Sequence, residues 1–365
     1  MSKVRRLLGQ DGTSFSNFVV STPGCSPSRA SILRGQPPHT HGLWTGKGPE
    51  GGYSAFARTG LERSTVATWL QDRGYRTALV GKYLNEYGVK PETAKVPPGW
   101  DEWCAAPEIK YFDYDLIEND RVVHRGNKPE DYLTDVLSRK AITFLETAAR
   151  SDKPFFLYLA PRAPHGPATP APRYARAFGN AKVPRTDAFN EADVDDKPSY
   201  VHQSPRLRRK QIRTLDALHR DRLRTLQSVD KMVEDVLTTL RRTGTLDNTD
   251  VFFTSDNGFL LGQHRRADKG LPYEEAIRVP LLVRGPGVPS RVEPSVTSNI
   301  DRAPTLADLA GAATPDFVDG RSLVPLLRGE TPSVWRTATL VERDRSNEVA
   351  IERGDIGGEP TTPAF

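Results

Sequence analysis

Cys25 and Arg29, in the string Gly24-Cys25-Ser26-Pro27-Ser28-Arg29, are the residues whose types and spacing first point to chemistry. A short extended run, Phe18 to Val20, and a Ser-Thr-Pro-Gly turn precede them. Pro27 suits the first turn of a helix, where its missing N–H would be unpaired anyway, and Gly35 suits a helix stop. The spacing therefore predicts a helix from Cys25 to about Arg34, with the thiol at its mouth. A helix amino terminus offers free N–H groups and a partial positive charge, which suit an oxyanion. Arg29 lies one turn on, on the same face, and brings a permanently charged fork matched to sulfate or phosphate oxygens. Taken alone, a cysteine is more often a small buried hydrophobe.

Something must hold these groups in place. The chain has 365 residues, enough for one large α/β domain or a domain with an appendage. Helical patterns over 64–72, 131–149, 206–242 and 301–310 alternate with apolar runs at 75–80, 155–160, 250–254 and 279–283. This rhythm predicts an open, mostly parallel sheet covered by helices on both faces. Such sheets bind ligands beyond the carboxyl ends of their strands. Lys82, His165, Asp256 and Asn257 each follow a strand end, and that common placement argues for one site. Residues 15–20 read as a short strand, and 167–205 as an irregular excursion. Residues 36–60 read as a long surface loop, with His39 and His41 on a wall of the cleft.

Composition narrows the function classes. The net charge is +5, and the densest basic cluster, 206–213, reads as the solvated face of a long helix. Its functional alternative is attraction of an anionic substrate such as a sulfated polymer. No aromatic or glycine-rich RNA motif accompanies the charge, so nucleic acid is not expected as a partner. No run of eighteen apolar residues predicts a membrane span, and the first residues lack the apolar segment of a signal peptide. The two cysteines, Cys25 and Cys104, cannot build a disulfide framework.

The string Cys25-Ser26-Pro27-Ser28-Arg29, followed by Ile32-Leu33-Arg34-Gly35, resembles the signature of the formylglycine sulfatases. A second string, Gly74-Tyr75-Arg76-Thr77-Ala78-Leu79-Val80-Gly81-Lys82-Tyr83-Leu84, resembles that family's second signature. The variant Gly81-Lys82-Tyr83-Leu84-Asn85 is similar to the branch that cleaves 6-O-sulfates from glucosamine, with Asn85 replacing a histidine as hydrogen-bond donor.

The resemblance implies an alkaline-phosphatase-like α/β sandwich and a sulfuric ester hydrolase acting on a sulfated sugar or aryl ester. It implies that a formylglycine-generating enzyme oxidises Cys25 to an aldehyde, whose hydrate attacks sulfur. Arg29, Lys82 and Lys269 are then catalytic residues that meet the sulfate, and His165 protonates the leaving oxygen. His264 lies near Lys269 in sequence and is expected along the pocket wall. A calcium ion is implied at Asp256, Asn257 and the modified Cys25.

The same resemblance implies a first strand ending in two adjacent Asp, yet the only acid before Cys25 is Asp11. The expectation is a catalytic domain over 1–330 that lacks that strand and half the metal shell, binds calcium poorly, and is cut at both ends. Residues 331–365 would begin an incomplete second subdomain. Members of the family are mostly secreted or periplasmic. Two other readings stay open: an inactive shortened homologue, and a phosphonate or phosphate ester hydrolase with the same nucleophile.

Overall fold

Pro27 and Gly35 punctuate the chain as their chemistry requires. A computed structural model, which describes residues 1–330 and 332–343, contains a helix over Cys25–Arg34, here α1. Gly24 precedes it in an extended conformation, and Gly35 ends it in the left-handed region with φ of 69°. Every residue of α1 is buried, so the helix is a spine through the interior rather than a surface element.

The strands, in chain order, are β1 (Thr13–Phe15), β2 (Phe18–Val19), β3 (Arg76–Gly81), β4 (Glu102–Ala105), β5 (Tyr114–Glu118), β6 (Arg121–Arg125), β7 (Phe155–Ala160), β8 (Val251–Thr254), β9 (Leu281–Arg284), β10 (Arg291–Glu293) and β11 (Thr297–Ser298). They form a five-stranded sheet in the order β6-β5-β4-β3-β7, a four-stranded sheet in the order β10-β1-β9-β8, and the pair β11-β2. In the larger sheet β3 runs parallel to β4 and β7, while β4-β5-β6 is an antiparallel meander. In the smaller sheet β9 runs antiparallel to β1 and β8.

Four further helices make the covering layers: α2 (Val66–Asp72), α3 (Leu133–Ala148), α4 (Arg209–Arg242) and α5 (Arg302–Leu309). On one face α3 and α4 bring Phe144, Leu145, Leu237 and Leu240 against Phe155, Leu157 and Phe253. On the other, α1, α2 and α5 pack Leu33, Leu70 and Ala307 into a cluster that also holds Phe156 and Tyr158. Successive β7 side chains thus point to opposite layers, as a strand's period of two dictates. Behind Lys82 an aromatic knot of Tyr53, Tyr83, Tyr87 and Trp103, with ring centroids 5.0–5.8 Å apart, stiffens the end of β3.

Several expectations need correction. The sheet is not mostly parallel: four strand pairings are parallel and four antiparallel among the described residues. The run 15–20 is broken between β1 and β2. Residues 36–60 are no surface loop, because they contain helical segments Pro38–His41 and Gly52–Arg58 that bury Tyr53 and Phe56. The 206–213 cluster is indeed largely exposed, and Arg220 and Arg224 instead bind the carbonyls of Ala181 and Ala177. Most of the expected second subdomain, 331–365, lies outside the described residues.

Gly81 closes β3 at φ of 117°, and a Cβ there would stand 2.1 Å from the Ala160 carbonyl oxygen of β7. Gly81→Ala must part the two strands. A loss of about 2–3 kcal/mol is expected in urea unfolding, the range for strained backbone with a steric clash.

Candidate active site

The carboxyl ends of β3, β7 and β8 and the amino end of α1 converge on one cleft. Cys25 occupies the first turn of α1 and is 5% exposed. Lys82 directly follows β3, His165 follows β7 by five residues, and Asp256 follows β8 by two. Cys25, Arg29, Lys82, His165, Asp256, Asn257 and Lys269, the full expected set, all line this cleft, as does Asn85.

The central contact is between Lys269 Nζ and Cys25 Sγ, 2.7 Å apart. Arg29 does not reach toward open space. Its Nε donates to Asp256 Oδ2 at 2.8 Å, and its guanidinium also donates to the Lys82 carbonyl oxygen at 2.8 Å. The serines of the motif add two more ties. Ser28 Oγ donates to the Asp256 carbonyl oxygen at 2.6 Å, and Ser26 Oγ accepts from the Asn85 N–H at 3.0 Å. His165 Nδ1 contacts the Gly166 carbonyl oxygen at 2.6 Å, which leaves Nε2 for the cleft.

Electrostatics follow from this crowding. Burial alone would push the Cys25 thiol up, but Lys269 and Lys82 outweigh it and hold the thiol well below its usual range. The α1 amino terminus acts in the same direction. Burial drives Lys82 down to about 8, with Cys25 opposing the shift and Arg29 adding to it. Burial raises Asp256, but Arg29, Lys82 and Lys269 overcome that and keep the carboxylate ionised. The cleft is thus a cluster of cations around one reactive atom and one carboxylate.

Two further cations were not read from the sequence. Arg162 is buried and lines the cleft; burial, then Arg29, lowers it to about 10. It donates to the Ala106 carbonyl oxygen at 3.1 Å. Its signal was present, since Arg162 follows the end of β7 much as Lys82 follows β3. Arg302, also buried on the cleft wall, begins α5 and carried no such signal.

Three histidines are placed differently from expectation. His41 is buried and bonds Ser31 Oγ at 3.1 Å, and burial lowers it to about 3. His39 pairs with Glu342 at 2.9 Å. His264 stacks on Tyr273 with a centroid distance of 3.9 Å and meets Glu191 at 3.1 Å. None of the three is among the residues lining the cleft.

A family model described as Sulfatase matches residues 1–312. The chain belongs to the sulfatase family. Among its relatives, the N-acetylglucosamine-6-sulfatase of Homo sapiens is 40% identical over 352 residues, covering 94% of this chain and 63% of that protein. An extracellular sulfatase Sulf-1 homologue of Caenorhabditis elegans is 37% identical over 359 residues, covering 94% of this chain and 50% of the relative. This sulfatase chain therefore spans between half and just under two thirds of the length of these relatives. A solved structure of a protein with its substrate D-glucosamine-2-N,6-O-disulfate superposes with a TM-score of 0.77 at 26% identity, covering 93% of this chain and 77% of that one. A phosphonate monoester hydrolase of Agrobacterium radiobacter superposes at 0.73 with 22% identity, covering 97% and 77%, and shares the fold. The architecture is an α/β, alkaline-phosphatase-like fold.

Sulfatase resemblance implies calcium, so the donor set can be tested against that ion. Asn257 Oδ1 is buried with no hydrogen-bond partner, which suits a metal ligand. Yet the neighbouring carboxylate, Asp256, already has one of its oxygens taken by Arg29. No group of three or more His, Cys, Asp or Glu is placed for a metal among the described residues. Calcium wants six to eight oxygens, and the surrounding cations repel it. The residues described do not fit the ion by themselves.

Two measurements check this site. Calorimetric titration with calcium chloride should show no tight stoichiometric binding to the chain. In the unmodified protein Cys25 should alkylate with iodoacetamide as a thiolate near neutral pH, far ahead of Cys104, which burial pushes up to about 12. Lys269→Met should move the pH midpoint of that alkylation upward.

Proposed function

We propose that this chain is a sulfuric ester hydrolase that removes a 6-O-sulfate from a glucosamine-type sugar through an aldehyde made from Cys25. The carrying observation is the Cys25 sulfur, 2.7 Å from the Lys269 ammonium in a cleft that Lys82 and Arg29 also line. Fixed cations around a nucleophile position at a helix mouth suit a sulfate ester, whose negative charge is spread over its oxygens. The sugar assignment is supported by the similarity to N-acetylglucosamine-6-sulfatase and by the disulfated glucosamine bound in the structural neighbour.

The aldehyde, made by a formylglycine-generating enzyme and then hydrated, supplies a hydroxyl that attacks sulfur and a second hydroxyl whose deprotonation expels the sulfate. The chain's own residues set up the rest. Lys269 and Lys82 clamp the sulfate oxygens and orient sulfur toward position 25. Arg29, fixed by Asp256 and the Lys82 carbonyl, adds positive potential without needing to move. His165, with Nδ1 engaged by Gly166, offers Nε2 as the proton donor to the departing sugar oxygen. No step is routed through a metal.

The test uses protein made in cells that contain the modifying enzyme. Mass spectrometry should find the Cys25 thiol replaced by an aldehyde, and N-acetylglucosamine-6-sulfate should release sulfate. Cys25→Ala should reduce release to background. Faster turnover of a phosphonate monoester than of any sulfate ester would replace this reading with that of the phosphonate hydrolases. No turnover of either, with the aldehyde present, would favour an inactive homologue.

The pH profile adds a second check. Lys82 is protonated below about 8 and neutral above it. Its hold on the sulfate is therefore present at neutral pH and lost as pH rises through that value. kcat/KM should fall on this alkaline limb, and Lys82→Gln should lose the limb along with about a hundredfold in rate.

A further inference from the structure

Arg162 and His165 share the turn that follows β7, and both line the cleft. The His165 N–H donates to the Arg162 carbonyl oxygen at 2.9 Å, which closes the turn. Tyr111 Oη donates to the His165 carbonyl oxygen at 2.8 Å and braces it from the other side. His165 offers Nε2 to the departing oxygen, so the sugar lies on this side of the cleft. Arg162 therefore borders the leaving group.

Arg162 is 5% exposed, and only part of its guanidinium is engaged. Nη2 donates to the carbonyl oxygens of Ala106, Pro107 and Glu108 at 3.1, 3.3 and 2.5 Å. Nε is buried with no partner. Nη1 makes no hydrogen bond among the described residues, and none of the bonds from Arg162 goes to a carboxylate. Carbonyls satisfy donors but supply no counter-charge, and a buried cation without one is costly. Asp256 does not serve, because Arg29 already grips it. Arg162 is charged at neutral pH all the same, since burial lowers it only to about 10. The carbonyls that hold Nη2 lead straight to Ile109, which is 49% exposed and lines the cleft. A fixed cation beside an exposed apolar side chain suits a sugar ring that carries an anionic substituent.

We propose that Arg162 is a specificity-determining residue that binds a second sulfo group on the sugar, a sulfamate at C2 or a sulfate at C3, while Lys82 and Lys269 hold the 6-O-sulfate. The inference rests on the 6-sulfatase reading above, because the role of His165 places the sugar. Arginine suits the task, since its planar donors match sulfo oxygens and its charge is permanent. Burial strengthens the attraction, and the three carbonyls keep the guanidinium from collapsing onto the sulfate under attack. The second sulfo group stays on the product. Arg162 thus holds substrate and transition state alike, and its effect falls on KM more than on kcat.

Three ligands test this: glucosamine-2-N,6-O-disulfate, N-acetylglucosamine-3,6-O-disulfate and N-acetylglucosamine-6-sulfate. The first readout is protection of Cys25 from iodoacetamide in the unmodified chain, which needs no turnover. One doubly sulfated sugar should protect at a concentration about tenfold or more below that of the monosulfate, the range for a charge-assisted hydrogen bond. Which of the two does so distinguishes C2 from C3. Arg162→Gln keeps a donor for the 106–108 carbonyls and should erase that advantage, and Arg162→Lys should restore part of it. The second readout is kcat/KM on the aldehyde form, where Arg162→Gln should raise KM for the favoured sugar to that of the monosulfate. Each result is taken as a ratio between ligands within one variant, which a general loosening of the fold does not change. Equal protection by all three ligands in the wild type would overturn the proposal. An equal loss for all three in Arg162→Gln would mean a purely structural pin and would overturn it too. Sulfate release from all three at equal kcat/KM would remove the subsite and leave the hydrolase reading intact. Discriminating protection without any sulfate release would keep the subsite and remove that reading.

Discussion

One guanidinium holds the site together. Arg29 begins on α1, grips the carboxylate that follows β8, and donates to the carbonyl that follows β3. Those two strands belong to different sheets, so a single side chain ties both sheets to the helix that carries Cys25. The Arg29 and Asp256 side chains are 9% and 18% exposed, and breaking a buried pair of this kind costs about 3–5 kcal/mol because the surviving charge is stranded. Asp256 also keeps Arg29, Lys82 and Lys269 from being an uncompensated knot of like charge. The cleft stays cationic and folded at once.

That arrangement explains why neighbouring groups take opposite protonation tendencies. Desolvation disfavours every charge in the cleft, yet Cys25 and Asp256 are driven toward their anions and Lys82 only part-way toward its neutral amine. Coulombic attraction wins for the two acids because several cations surround each of them. Lys82 has no such surplus of partners, and burial decides its shift. A site tuned this way holds an incoming anion with little reorganisation, since its dipoles and charges are already aimed.

The sequence showed most clearly what local chemistry dictates. Pro27 and Gly35 gave both ends of α1, and the apolar run of β7 stood out between Pro154 and the stretch Ala163-Pro164-His165-Gly166. Lys82, His165, Asp256 and Asn257 were legible as a group because each follows a strand end in an α/β rhythm, Cys25 and Arg29 because they open a helix, and Lys269 only through the family resemblance. The β4-β5-β6 meander was not, although Asn119, at φ of 55°, is a turn residue between two runs of suitable length. Its strands, Glu102–Ala105, Tyr114–Glu118 and Arg121–Arg125, carry no shared alternation strong enough to announce them. Residues 36–60 misled for a different reason. Their glycines and prolines look like surface loop, but the backbone they shape carries Tyr53 and Phe56 into the core, and tertiary packing overrode composition. Arg302 could not be found from sequence, because only the folding of α5 onto the cleft gives it a role.

Ser26 and Ser28 have no role in the proposed reaction, and both are fully buried. Each stitches α1 to a different strand end through its hydroxyl. A larger side chain at either position would push the thiol and the guanidinium off their marks, and a smaller one would cut a tie. The quiet letters of the string are therefore as narrowly constrained as the reactive ones. Geometry, as well as reactivity, spells this five-residue word.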